Sequence, residues 1–204
     1  FKCAVPVYGC GFLGENSGWK YGLFPTRPAA DIRKWLEHWD PAVFLPHARM
    51  PFLWVNGTND FAYPMDSMQK SYDIQGGPHQ LCLRIEMPHG HSPGWEPVEI
   101  MDFADHLLKG KPPLTHITEF GHDTDSMWVH YKSAEPIKTA MVCYTRAEGF
   151  WGDRKYNELP AEIDHENRRV SVTIPNLSSV CYLNLIDQQD RVTSTRHICP
   201  NLSA

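Results

Sequence analysis

The stretch Phe52-Leu53-Trp54-Val55-Asn56-Gly57-Thr58-Asn59-Asp60-Phe61-Ala62-Tyr63-Pro64 decides the reading of the fold. Four apolar residues run straight into the turn-forming set Asn56 to Asp60, as a buried strand does when it reaches the edge of a sheet. The segment Met65 to Tyr72 then predicts a helix, opened by Pro64 and closed near Gly76-Gly77. A second apolar run, Leu81 to Met87, breaks into Pro88-His89-Gly90-His91. Strand, helix and strand in this order predict a parallel βαβ unit. Chemistry in open α/β sheets gathers beyond the carboxyl ends of the strands, so Asp60 and the two histidines are expected on one edge.

Working outward, Cys3 to Tyr8 reads as a further buried strand, followed by Gly9-Cys10-Gly11. Such a strand needs neighbours on both sides to satisfy its backbone, and nothing precedes it here. The chain is therefore expected to be the C-terminal part of a longer protein. A short helix is predicted through Ile32, Trp35, Leu36 and Trp39, starting at Asp31 or earlier and ending at Asp40-Pro41. Pro41 to Pro51 reads as an irregular connection. Glu96 to Lys109 carries Val98, Ile100, Phe103, Ala104, Leu107 and Leu108 on one side, with Pro97 in its first turn and Gly110 as its stop.

Beyond Lys111-Pro112-Pro113 helical periodicity gives way to short alternating runs at 126–131, 139–144, 168–174 and 180–185. These predict a small antiparallel β-sandwich, Ig-like, over residues 113–204. The expected architecture is thus α/β: about three parallel strands with helices over residues 1–112, then the sandwich. With so few strands, one face and one edge of the parallel sheet should be exposed, and the chain should associate with itself or with a missing partner.

Composition limits the functional classes. A chain of 204 residues, 42% hydrophobic, can bury a substantial core. A net charge of -5, with no Lys/Arg cluster longer than a dipeptide, argues against a nucleic-acid partner. No apolar run approaches the roughly 20 residues of a membrane span. The six cysteines show no C-x-x-C spacing, so neither a structural zinc site nor a disulfide framework is expected. Cys3, Cys82, Cys143 and Cys181 lie in apolar runs and read as small buried hydrophobes; a pairing of Cys199 stays open.

Asp60, on a rigid strand-end turn, is suited to accept a hydrogen bond from an imidazole and fix its tautomer. Its local alternative is an Asx-turn or a helix cap. About thirty residues on, past one helix and one strand, come His89 and His91, and Gly90 favours His91 as the partner by letting the backbone turn sharply. The local alternative is that both are loop histidines with turn roles. A metal site built on His89-x-His91 with Asp60 or His79 is the lesser reading, because the pattern is short; no cofactor is expected. No G-x-S-x-G turn exists in the chain. Ser17 lacks the glycine two places before it, and Cys10 is a thiol in strand-end position without a convincing helix behind it.

Ala4-Val5-Pro6-Val7-Tyr8-Gly9-Cys10-Gly11-Phe12-Leu13, Leu53 to Pro64 and Met87-Pro88-His89-Gly90-His91 resemble the α/β-hydrolase family of acetyl xylan esterase-like and dienelactone hydrolase-like proteins. The resemblance covers roughly residues 1–110; beyond Thr115 it is one of architecture. It implies that the catalytic acid maps onto Asp60 and the histidine onto His91, and that the nucleophilic serine lies in an N-terminal half this chain lacks. It also implies a carboxylesterase acting on acylated carbohydrate, compatible with a secreted or periplasmic protein. A second class stays open: a non-catalytic carbohydrate-binding or interaction module using Trp128, Tyr131, Trp151 and Tyr156.

Overall fold

The computed structural model describes residues 1–200; residues 201–204, the end of the expected sandwich, lie outside the described residues. The chain folds as a mixed α/β structure with one six-stranded and one four-stranded sheet. Helices α1 (Ala29–Trp39) and α2 (Pro41–Phe44) precede β1 (Phe52–Gly57), which is buried at every position. Asp40 accepts from Ala42 N (2.8 Å) and so caps α2, giving the expected irregular connection a helical turn. After β1 come α3 (Met65–Ile74) and β2 (His79–Arg84), and the two strands pair in parallel from Phe52↔His79 to Gly57↔Arg84. Trp54, Leu81 and Leu83 bury against Met65, Met68 and Tyr72 of the crossing helix.

Residues Ala4 to Tyr8 flank the other side of β1 in parallel. Ala4 N donates to Pro51 O, Leu53 N to Ala4 O, Val55 N to Pro6 O and Tyr8 N to Val55 O, at 2.9–3.0 Å. Pro6 has no N–H to give, so the segment is an irregular strand rather than a regular one. Beyond β2 lie the short helix α4 (His91–Trp95) and α5 (Glu99–Lys109). Gly110, at φ 72°, ends α5 in the left-handed conformation that glycine adopts without strain.

The remaining strands are β3 (His116–His122), β4 (Ser126–Lys132), β5 (Ile137–Thr145), β6 (Asn157–Pro160), β7 (Glu162–Asp164), β8 (Arg169–Thr173), β9 (Val180–Asp187) and β10 (Val192–Ser194). Strands β3-β4-β8-β7 form the smaller sheet, and β4 and β8 pack their apolar faces on β5 and β9 around Met127, Val129, Val142, Val170, Leu183 and Leu185. The expected sandwich is therefore not a sheet pair of its own. Its β10, β9, β5 and β6 continue the sheet of β1 and β2, in the order β1-β2-β10-β9-β5-β6.

The junction is made by side chains because β10 is too short to carry a full ladder. Leu83 N donates to Ser194 Oγ (2.7 Å), Ser194 Oγ donates to Asn184 Oδ1 (2.6 Å), and Asn184 Nδ2 donates to Leu83 O (3.1 Å). Buried Glu99 of α5 locks the same place: Arg84 Nη2 reaches both its oxygens (2.8 and 2.9 Å), and Val192 N donates to one of them. Phe1, Trp95, Val98, Met101 and Leu108 stay exposed. No helix among the described residues is long and apolar enough to cross a membrane.

Candidate functional site

Parallel pairing of β1 and β2 brings the loops that follow them side by side. Gly57 at the end of β1 is required here, since a Cβ at this position would lie 2.4 Å from the carbonyl oxygen of Met87. Thr58 fastens the two loops: its N–H donates to Arg84 O and its Oγ1 accepts from Glu86 N, both at 3.0 Å. Asn56 Nδ2 donates to Tyr63 O (2.7 Å) and closes the acid loop on itself. From the far half of the chain, Gly152 O accepts from Asn59 Nδ2 (3.1 Å), and so does Arg154 O.

Inside that frame sits Asp60, 1% exposed. Its Oδ1 accepts from Ala62 N (2.8 Å) and Tyr63 N (2.7 Å), which is the Asx-type turn of the local alternative. That turn leaves Oδ2 free, and Oδ2 lies 2.7 Å from Nδ1 of His89. An ionised carboxylate only accepts, so Nδ1 carries the proton and Nε2 is left as the basic nitrogen. The His89 side chain is 29% exposed, packed between Tyr8 (ring centroids 4.6 Å apart), Phe61 (5.1 Å) and Tyr63 (6.1 Å).

The structure thus brings Asp60 together with His89 and not with His91, which corrects the expected pair. His91 opens α4, is exposed, and makes no side-chain hydrogen bond among the described residues. Gly90 makes no sharp turn, because its φ 168° and ψ 165° are extended values open to any residue. The strand register, visible only in the structure, accounts for the choice. Gly57 lies opposite Arg84, so Asp60 stands opposite residues just past Met87, where His89 is nearer than His91.

Asp60, His89, His91 and His79 do not form a metal site. His79 begins β2, at the opposite end of the strand, and packs against Tyr72. Among the described residues no group of three or more His, Cys, Asp or Glu side chains is placed to hold a metal ion. All six cysteines are free thiols, Cys199 included. Cys10 is buried in the core, and burial, followed by the charges of Asp40, Asp60 and Asp66, pushes its thiol far above the ordinary range, so it is held protonated. Ser17 Oγ donates to Leu13 O (2.6 Å) and accepts from Lys20 N (3.1 Å), a local role just before the short helical turn Trp19–Leu23.

Of the aromatics considered for a binding face, Tyr131 and Tyr156 are buried in the core. Trp128 and Trp151 are half-buried beneath the guanidinium groups of Arg169 (5.5 Å) and Arg154 (4.0 Å). A cavity of about 560 Å³ opens beside His89, walled by Val5, Val7, Tyr8, His91, Trp95 and Ile100. It is an apolar recess, and the one hydroxyl on its wall, that of Tyr8, is committed to Pro88 O (2.7 Å).

The sequence reading missed Tyr8, Phe61 and Tyr63 as walls of the imidazole and Asn59 as the anchor of the acid loop. Tyr8 had a signal: it ends the first strand, on the same sheet edge as Asp60. The Asn59 contact had none, because its partners lie 93 and 95 residues away. Comparison with protein-family models and with curated proteins returned no match.

Proposed function

We propose that this chain is the C-terminal part of a serine-type carboxylesterase, in which Asp60 orients His89 and His89 is the general base. The observation that carries the reading is the Asp60–His89 contact, made by a buried carboxylate whose other oxygen is held by two backbone N–H groups. Such a carboxylate fixes the imidazole tautomer and stabilises the imidazolium that forms in acyl transfer. The basic Nε2 takes the proton of a serine hydroxyl as its oxygen attacks the ester carbonyl. It then returns that proton to the departing alcohol, and water repeats the sequence on the acyl-enzyme.

The serine comes from a segment outside the 204 residues. Supporting this, the N–H groups of Val5 and Val7 point away from β1 and find no protein acceptor among the described residues. An added strand there would lie beside the recess under His89. The resemblance to acetyl xylan esterase-like proteins points to acyl groups on carbohydrate as substrate.

The test is hydrolysis of p-nitrophenyl acetate by the complete protein. His89→Ala is expected to lower kcat/KM by at least about a thousandfold, as removal of a catalytic base does. His91→Ala is expected to cost less than about tenfold, the range of a residue near the site but outside the proton path. Full activity in the His89 variant would overturn the assignment. The 204-residue chain alone is expected to be inert, and activity of that chain abolished by Cys10→Ser would replace the serine with a thiol.

A further inference from the structure

Two of the six non-glycine residues with positive φ among the described residues, Tyr8 (56°) and Glu86 (51°), lie in the loops around the Asp60–His89 pair. A bulky side chain rarely adopts this conformation, and it persists only where the surroundings over-determine it. At Tyr8 the surroundings can be named. Its N–H donates to Val55 O, its hydroxyl donates to Pro88 O (2.7 Å), and its ring lies 4.6 Å from that of His89. Behind the ring is Gly94 of α4, where a Cβ would come within 2.9 Å of Tyr8 Cε2.

The left-handed turn therefore does one specific thing. It swings a buried ring off the end of the first strand and under the histidine loop, where the hydroxyl meets the carbonyl immediately before His89. Phe61 and Tyr63 touch the imidazole as well, but neither hydrogen-bonds the backbone of its loop. Burial, with the charges of Asp60 and Glu96, raises the Tyr8 phenol above its ordinary pKa against the opposing N–H of Gly90, which keeps it a donor.

We propose that Tyr8 is the positioning residue for His89, setting by its hydroxyl–Pro88 bond and its ring the orientation in which Nδ1 meets Asp60 and Nε2 faces the recess. The inference rests on the Asp60–His89 reading above. Tyr8 touches no reacting atom in it; it acts through the imidazole.

The experiment is NMR of the 204-residue chain, reading the imidazole tautomer and the solvent exchange of the Nδ1 proton, assigned by its loss in His89→Ala. In the unmodified chain a protected Nδ1–H tautomer is expected. Tyr8→Phe keeps the ring and removes one hydrogen bond, so exchange should quicken about two- to tenfold, the factor that corresponds to a neutral hydrogen bond. Tyr8→Leu, without the ring, should quicken it further and mix the tautomers. In the complete protein Tyr8→Phe should lower kcat while KM holds. Unchanged exchange and tautomer in a folded Tyr8→Phe chain would overturn the role of Tyr8 and leave the Asp60–His89 pair standing. Absence of a protected Nδ1 proton in the unmodified chain would overturn the pair and Tyr8's role together.

Discussion

His197 shows how far a single side chain can tie folding to pH. It is buried against Trp151, ring centroids 5.3 Å apart, and the Gln69 amide, turned to suit its neighbours, donates to Nδ1 at 2.9 Å. That bond needs a neutral ring. Burial, then the charges of Arg196 and Arg154, lowers its pKa from 6.5 to about 3. Between those values the unfolded chain binds a proton that the folded chain refuses, so stability falls as pH falls and is unaffected above about 6.5. The slope from one such group is at most about 1.4 kcal/mol per pH unit. His79, lowered mainly by burial, acts in the same direction. Urea midpoints measured from pH 7 to pH 4 should therefore drop steeply in the unmodified chain and less steeply in His197→Gln. Parallel curves for the two would contradict this account.

At the level of elements, the approach of β1 to the histidine loop depends on Gly57. Gly57→Ala places a methyl 2.4 Å from Met87 O, which is backbone and cannot swing aside. The expected cost is about 1–3 kcal/mol, typical of overpacking, together with weakened protection of the His89 Nδ1 proton. Glu99→Gln is predicted to destabilise by about 2 kcal/mol or more, since it leaves Arg84 and the Val192 amide with a poorer acceptor. Chemical denaturation of the two variants checks both. These elements also mark what a reader of the sequence could and could not see. Strands β1, β2, β4, β5, β8 and β9 and helices α1, α3 and α5 announce themselves through runs of apolar residues with the right period, bounded by Pro, Gly and Asn. Strand β10 does not: Val192-Thr193-Ser194 is three residues long, and its place in the sheet is decided by Ser194 and Asn184 bonding to Leu83. Asp60 was legible from its strand end. The choice of His89 was not, because it turns on how the two loops meet and on which imidazole packs against Tyr8, and both are long-range.

Across the whole molecule, one sheet runs through the point near residue 112 where the sequence changes texture. The core around Trp54, Met65 and Leu83 is completed by Cys143, Tyr156, Val180 and Tyr182 from the later half. A fragment ending at Leu114 would expose that face and the edge of β2. It is expected to show no cooperative unfolding transition, whereas far- and near-ultraviolet dichroism of the 204-residue chain should melt together. Separate transitions would point to two independent units. The bridge from Asn59 to the carbonyls of Gly152 and Arg154 has a related consequence for how this protein could change over time. An insertion between β5 and β6 would ordinarily be cheap, as surface loops go. Here it would loosen the turn that presents Asp60 to His89, so the length of a distant hairpin sets how firmly that pair is held; on the esterase proposal, variation there should track turnover more closely than stability.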